Sequence, residues 1–94
     1  MQTFYLKFND KASFTSLMEQ TGFTYQNQEG ITQFINASKN HALDIIGTIY
    51  NYNLDGTFTE VPGFHANLKI ETLPGELQSY SLNVETPYRK FAGD

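Results

Sequence analysis

The chain contains no cysteine. That excludes disulfides, thiolate nucleophiles and every cysteine-held zinc or iron–sulfur centre, and it fits a reducing compartment. Basic residues are also scarce, with six Lys and Arg against ten Asp and Glu, for a formal net charge of −4. Phosphate-driven nucleic-acid binding needs a basic stripe. Here the bases are scattered and only Arg89 and Lys90 are adjacent, so no nucleic-acid partner is expected. No apolar run approaches the roughly 20 residues of a membrane span. The opening MQTFYLKFND lacks the charged, apolar and small-residue order of a signal peptide. Neither membrane insertion nor secretion by a signal peptide is therefore expected. The seven glycines are dispersed and form no GxGxxG or GxxxxGK, so no nucleotide cofactor is expected. His41 and His65 stand at no metal-ligand spacing, so no metal is expected either.

What the chain does have is aromatic content, eight Phe and six Tyr in 94 residues. A length of 94 suits a single domain over residues 1–94. Each aromatic can bury about 150–250 Å², which compensates for the modest core of a short chain. Thr3 to Phe8 alternates as a strand, with Phe4, Leu6 and Phe8 on one face and Tyr5 and Lys7 on the other. Asp10 can cap a helix over about residues 11–21, whose Phe14, Leu17 and Met18 recur at helical spacing. Gly22 stands where a left-handed C-terminal residue belongs. Residues 23–26 and 31–37 read as short strands joined at 27–30. Leu73 to Leu77 reads as one helical turn with Pro74 at its start. The tail over 81–94 is expected to be extended, because Thr86-Pro87 disfavours helix, with Tyr88 and Phe91 pinning it to the body. The expected class is α+β: a mostly antiparallel sheet of about five strands, one helix packed on one face, and a short C-terminal helical turn.

The longest feature is a β-hairpin from His41 to Ile70 turning at Asp55-Gly56. Asp-Gly between alternating strands signals a two-residue turn. That turn sets Leu54 against Thr57, Asn53 against Phe58, Tyr52 against Thr59 and Tyr50 against Val61. Continued past Pro62, it sets Gly47 against Phe64, Ile45 against Ala66 and Leu43 against Leu68 on the core face. The opposite face then carries Asp44 against Asn67, Ile46 against His65 and Ala42 against Lys69. A bulge at Pro62-Gly63 would break this pairing.

Asp44 and His65 become diagonal neighbours in that register. As an acid–base pair they would lack the nucleophile or metal that completes a catalytic site, and a solvent-facing sheet surface accounts for them better. No enzyme is expected. Tyr50, Tyr52, Phe58 and Tyr88 have two readings: cross-strand cover for the hairpin tip, or an exposed aromatic patch at a protein interface.

Four segments, ALDIIGTIY, PGFHANLK, LPGEL and TPYRKFAG, together resemble a group of small, mostly uncharacterised tailed-phage and prophage proteins, often encoded near tail genes. The resemblance covers residues 42–92 in order and departs at Lys90-Phe91, where the group carries valine and tryptophan. It implies a phage- or prophage-encoded accessory protein of the host cytoplasm or the virion. Such a protein would act by protein–protein binding in the tail or baseplate or during assembly. An inhibitor of a host defence system is the alternative, and a small hydrolase or metal enzyme using Asp44 and His65 a remote one. Asp44, Tyr50, Tyr52, Phe58, His65 and Asn67 are the interface candidates. An exposed edge strand would also permit a homo-oligomer.

Overall fold

A computed structural model describes residues 1–84 together with Pro87, Arg89 and Phe91. Strand β1 (Gln2–Phe8) leads into helix α1 (Lys11–Thr21). Asp10 caps the helix in extended conformation and accepts a 2.8 Å bond from the Ser13 N–H. That bond satisfies one of the orphan donors of the first turn and holds the Asp10 carboxyl below its ordinary range. At the other end Gly22 takes a φ of 86°, and its N–H turns back to the helix carbonyls. A residue with a Cβ would be strained there.

Strands β2 (Thr24–Gln26) and β3 (Thr32–Phe34) form a small antiparallel ribbon of their own. The long strands β4 (His41–Tyr52) and β5 (Phe58–Ile70) follow, then a 3-10 helix over Gly75–Tyr80 and the short strand β6 (Ser81–Leu82). The class is α+β with antiparallel pairing, but the strands divide into a four-stranded sheet, ordered β4-β5-β1-β6, and the separate β2-β3 pair. Among the described residues a single sheet of about five strands is not formed. The Asn27-Gly30 turn closes β2 and β3 on each other: Asn27 Oδ1 accepts the N–H groups of both Glu29 and Ile31.

The core lies where β1, the base of the hairpin and α1 meet. Leu6, Phe8, Phe14, Met18, Ala66, Leu68 and Leu77 are almost wholly buried. Phe14 projects from α1 onto three rings, with centroids 5.2 Å from Phe8, 5.0 Å from Phe64 and 5.3 Å from Phe34. Phe8 also stacks on Tyr80 of the 3-10 helix at 4.9 Å. Phe4, Leu6 and Phe8 alternate along β1 opposite Leu68, Ala66 and Phe64, so the period-2 pattern of the first strand is the core face of the sheet.

The hairpin register departs from the two-residue turn. The Asn53 N–H bonds to the Thr57 C=O at 2.9 Å, the Gly56 N–H to the Asn53 C=O at 3.1 Å, and Gly56 takes a φ of 86°. This is a three-residue loop, Leu54-Asp55-Gly56, ending in a left-handed residue. The extra residue shifts the tip by one, so Tyr52 pairs with Phe58, Tyr50 with Glu60 and Ile49 with Val61. Irregularities on both sides of Gly47 then alter the count again, and Gly47 meets His65 rather than Phe64. At the base Ile45–Ala66, Asp44–Asn67, Leu43–Leu68 and Ala42–Lys69 pair as expected. The insertions cancel there.

Both irregular points carry glycines with positive φ, Gly47 at 82° and Gly63 at 103°. A Cβ on Gly63 would stand 2.9 Å from the Phe8 carbonyl oxygen and 2.8 Å from Lys7 Cε. Gly47 is different: the nearest atom, on the Phe64 ring, would lie 3.6 Å away. Its glycine answers to backbone conformation rather than to tight packing.

Candidate functional site

Two regions hold the candidate residues. The first is the sheet face opposite α1. Two of its polar members, Asn67 and His65, are buried, although a strand face turned away from the helix is ordinarily solvated. The segment near the C-terminus accounts for Asn67. The Asn67 Nδ2 donates to the Arg89 carbonyl at 2.6 Å, and the Arg89 side chain returns to the same face. The guanidinium grips Asp44 through Nε to Oδ2 at 2.8 Å and Nη2 to Oδ1 at 2.7 Å. A further bond of 3.2 Å runs from Nη2 to the Ile45 C=O. The planar fork of arginine suits two-point recognition of a carboxylate.

Asp44 and Asn67 are therefore neighbours, as their register implies, and Arg89 engages both. Asp44 does not orient His65. The His65 Nε2 faces the Pro62 C=O at 3.2 Å, so Nε2 carries the proton and donates to that carbonyl. Burial pushes the imidazole below its ordinary value; the Pro62 bond opposes this, and the Lys7 charge adds to it. Lys7 sits directly across from His65 on β1. Ile46 is not paired with His65, because Gly47 occupies that place.

Between this face and Leu82, Val84 and Pro87 lies a cleft of about 400 Å³ whose walls also include Tyr5, Ile46, Ile49, Tyr50 and His65. Its lining is mostly apolar. Among the described residues no three His, Asp or Glu side chains come together as a metal-binding group. The second histidine, His41, is buried as part of the frame. Its Nδ1 accepts from the Ser38 hydroxyl at 2.7 Å, its Nε2 donates to the Ile35 C=O at 2.7 Å, and its ring meets Phe23 edge-on at 4.8 Å.

The second region is the hairpin tip. β1 covers β5 only from Phe64 to Ile70, so among the described residues the ribbon runs on as two strands alone. Every residue from Tyr50 to Glu60 is exposed. Tyr50 retains 50% of its accessible surface, Tyr52 81%, Phe58 60% and the loop residue Leu54 all of it. Tyr52 and Phe58 touch edge to face with centroids at 4.8 Å, and Tyr50 lies 6.5 Å from Phe58. The rings support one another across the strands and still present most of their surface.

An isolated two-stranded ribbon is marginal in water, and polar bonds stiffen this one. Asp55 Oδ1 accepts from the Thr57 N–H and hydroxyl at 3.1 and 2.7 Å, which holds the Asp55 carboxyl below its ordinary range. The Asn53 Nδ2 donates to the hydroxyls of Thr57 and Thr59, both at 2.9 Å. The tip is thus an ordered aromatic projection on a body whose longest dimension is 47 Å.

Of the residues singled out in the sequence, Asp44, His65 and Asn67 share the covered face, while Tyr50, Tyr52 and Phe58 form the tip. Tyr88 lies outside the described residues. Phe91 is half-buried. The residue that sequence reasoning missed is Arg89. Its signal was an acidic side chain on a strand face with no partner nearby in the chain, together with an arginine inside the TPYRKFAG segment. No helix of the described residues is long and apolar enough to cross a membrane. Compared with known proteins, the chain matches no protein-family model, no curated protein and no solved structure.

Proposed function

We propose that this chain is an accessory protein that acts by binding another protein through the tip of its β4–β5 hairpin. The observation that carries the reading is the cluster of Tyr50, Tyr52, Leu54 and Phe58, each at least half exposed on an ordered ribbon. Monomeric proteins seldom leave contiguous apolar groups uncovered without a use. Aromatic residues are enriched where one protein meets another, because they supply large contact area at small conformational cost. Bonded turn geometry lowers that cost further, since the loop is already ordered before contact.

The resemblance of residues 42–92 to small tailed-phage proteins supplies the setting: a tail or baseplate component, or a factor in its assembly. The Arg89 contacts to Asp44 and Asn67 then belong to the scaffold that holds the ribbon's base. In an affinity capture from phage-producing cells, the wild-type chain should recover a tail or baseplate protein. Phe58→Ala and Tyr52→Ala should recover it at least about fivefold less, the loss of roughly 1 kcal/mol or more that marks an interface anchor. Both variants should melt near the wild type. Equal recovery by all three would overturn the reading, and mass spectrometry of purified virions would separate a tail component from an assembly factor.

A further inference from the structure

Among the described residues the outer edge of β4 is covered at its start and open at its end. The Leu43 N–H bonds to the Asn36 C=O at 2.7 Å, and Ala37 bridges Ala42. At Ile45 the carbonyl accepts from Arg89. Beyond Gly47 no strand of the described residues lies alongside it, because β4 is the terminal strand of its sheet. The ladder also shows which groups face out. The Asn53–Thr57 bond closes the loop, so Asn51 and Thr59 form a hydrogen-bonded pair. The N–H and C=O of Tyr50 and Tyr52 then turn away from β5.

Open edges in proteins are ordinarily blunted by charges, prolines or bulges. The β5 side of this ribbon has all three, in Glu60, Pro62 and the left-handed Gly63. The β4 side has none after Gly47. From Ile45 to Leu54 the sequence IIGTIYNYNL contains no charged residue, in a chain of net charge −4.

We propose that two copies of this chain pair antiparallel along this edge, from Thr48 to Leu54, about a twofold axis through Asn51. In that register Tyr50 lies opposite Tyr52 of the partner subunit, and their outward backbone groups bond in both directions. Both regular outward positions of the strand are then used. Asn51 meets its own counterpart in a close, non-hydrogen-bonded pair. A second copy fits because every residue in the stretch meets an uncharged one, so the acidic chains do not repel there.

The tyrosines of the two copies offer on the order of 500 Å² of exposed surface, to which the strand backbones and Leu54 add. A total near the ~1,000 Å² lower bound for specific association makes the dimer weak. The inference goes beyond partner capture by the tip, because it depends on strand edges rather than on the Phe58 ring.

Sedimentation equilibrium tests it. Between about 5 and 500 µM, the range in which weak association is read, the average mass should rise from the 10.7 kDa of one chain toward twice that. Asn51→Glu and Asn51→Lys should each weaken the dimer at least about fivefold, since like charges face each other on the axis. An equal mixture of the two should associate again, now as a heterodimer. Tyr50→Pro, which removes an outward N–H and no bond to β5, should remain folded by its melting curve and stay monomeric. A wild-type chain that is monomeric throughout, or an Asn51→Glu chain that dimerises as well as the wild type, would overturn the proposal. Loss of tip capture by Phe58→Ala with self-association intact would leave the two readings separately decided.

Discussion

Arg89 closes on Asp44 with two bonds, of 2.8 and 2.7 Å, across 45 positions of sequence. The same residue's carbonyl receives the Asn67 side chain. One arginine therefore ties residues near the end of the chain to the base of the hairpin.

The side chains of this pair are 52% and 29% exposed, so solvent screens it and its coupling should be small, about 0.5–1 kcal/mol. A double-mutant cycle of Arg89→Ala and Asp44→Ala in urea would measure it. Arg89→Lys should recover less than half of the coupling, because an ammonium cannot reproduce the fork. Coupling within error of zero would mean that the ion pair adds nothing to the bonds Arg89 makes with Asn67 and Ile45.

The two left-handed bulge glycines should respond unequally to alanine. Gly63→Ala meets both a positive φ and the Phe8 carbonyl oxygen, and should cost about 2–3 kcal/mol. Gly47→Ala meets ordinary van der Waals distances and should cost about 1 kcal/mol, mainly from its φ. Urea midpoints would rank them, and an equal loss at both sites would contradict the packing around Lys7 and Phe8.

His65 should make stability depend on pH. Its folded value lies below the ordinary 6.5, chiefly because burial disfavours the charged ring. The unfolded chain then binds the extra proton first as pH falls. Stability should be flat above about pH 7, then decline below 6.5 toward the folded value. His65→Gln should flatten that decline in thermal melts between about pH 5 and 7.5, a window above most carboxylate titrations. A slope unchanged by the substitution would place the pH dependence elsewhere.

Core and tip aromatics should separate by stability. Phe14→Ala removes a fully buried ring touching three others and should cost about 3–5 kcal/mol. Phe58→Ala removes cross-strand contacts on an exposed ribbon and should cost no more than about 1 kcal/mol. Comparable losses would make the tip part of the core.

The local elements were legible because short-range chemistry specifies them. Asp10 and Gly22 bound α1 at Lys11 and Thr21, since capping acts within a few residues. Phe4, Leu6 and Phe8 declared their face by alternation alone. The hairpin register was legible only at its base. The tip was misread because Asp-Gly serves both two-residue loops and a three-residue loop with Gly56 left-handed. The expected Gly47–Phe64 and Ile46–His65 pairs failed because the bulges re-aim the strands. The offsets cancel below Gly47, which is why Asp44 and Asn67 still meet.

By itself the sequence determined the strands, the capped helix, the turn positions and the aromatic character of residues 50–58, each set by neighbours within one or two turns of chain. Tertiary structure alone decided that the strands divide between two sheets and that Arg89 engages Asp44 and Asn67. It also decided that the ribbon outruns its neighbour β1 beyond Phe64. These outcomes depend on which distant segments come together, and local preference carries no information about a contact 45 residues away.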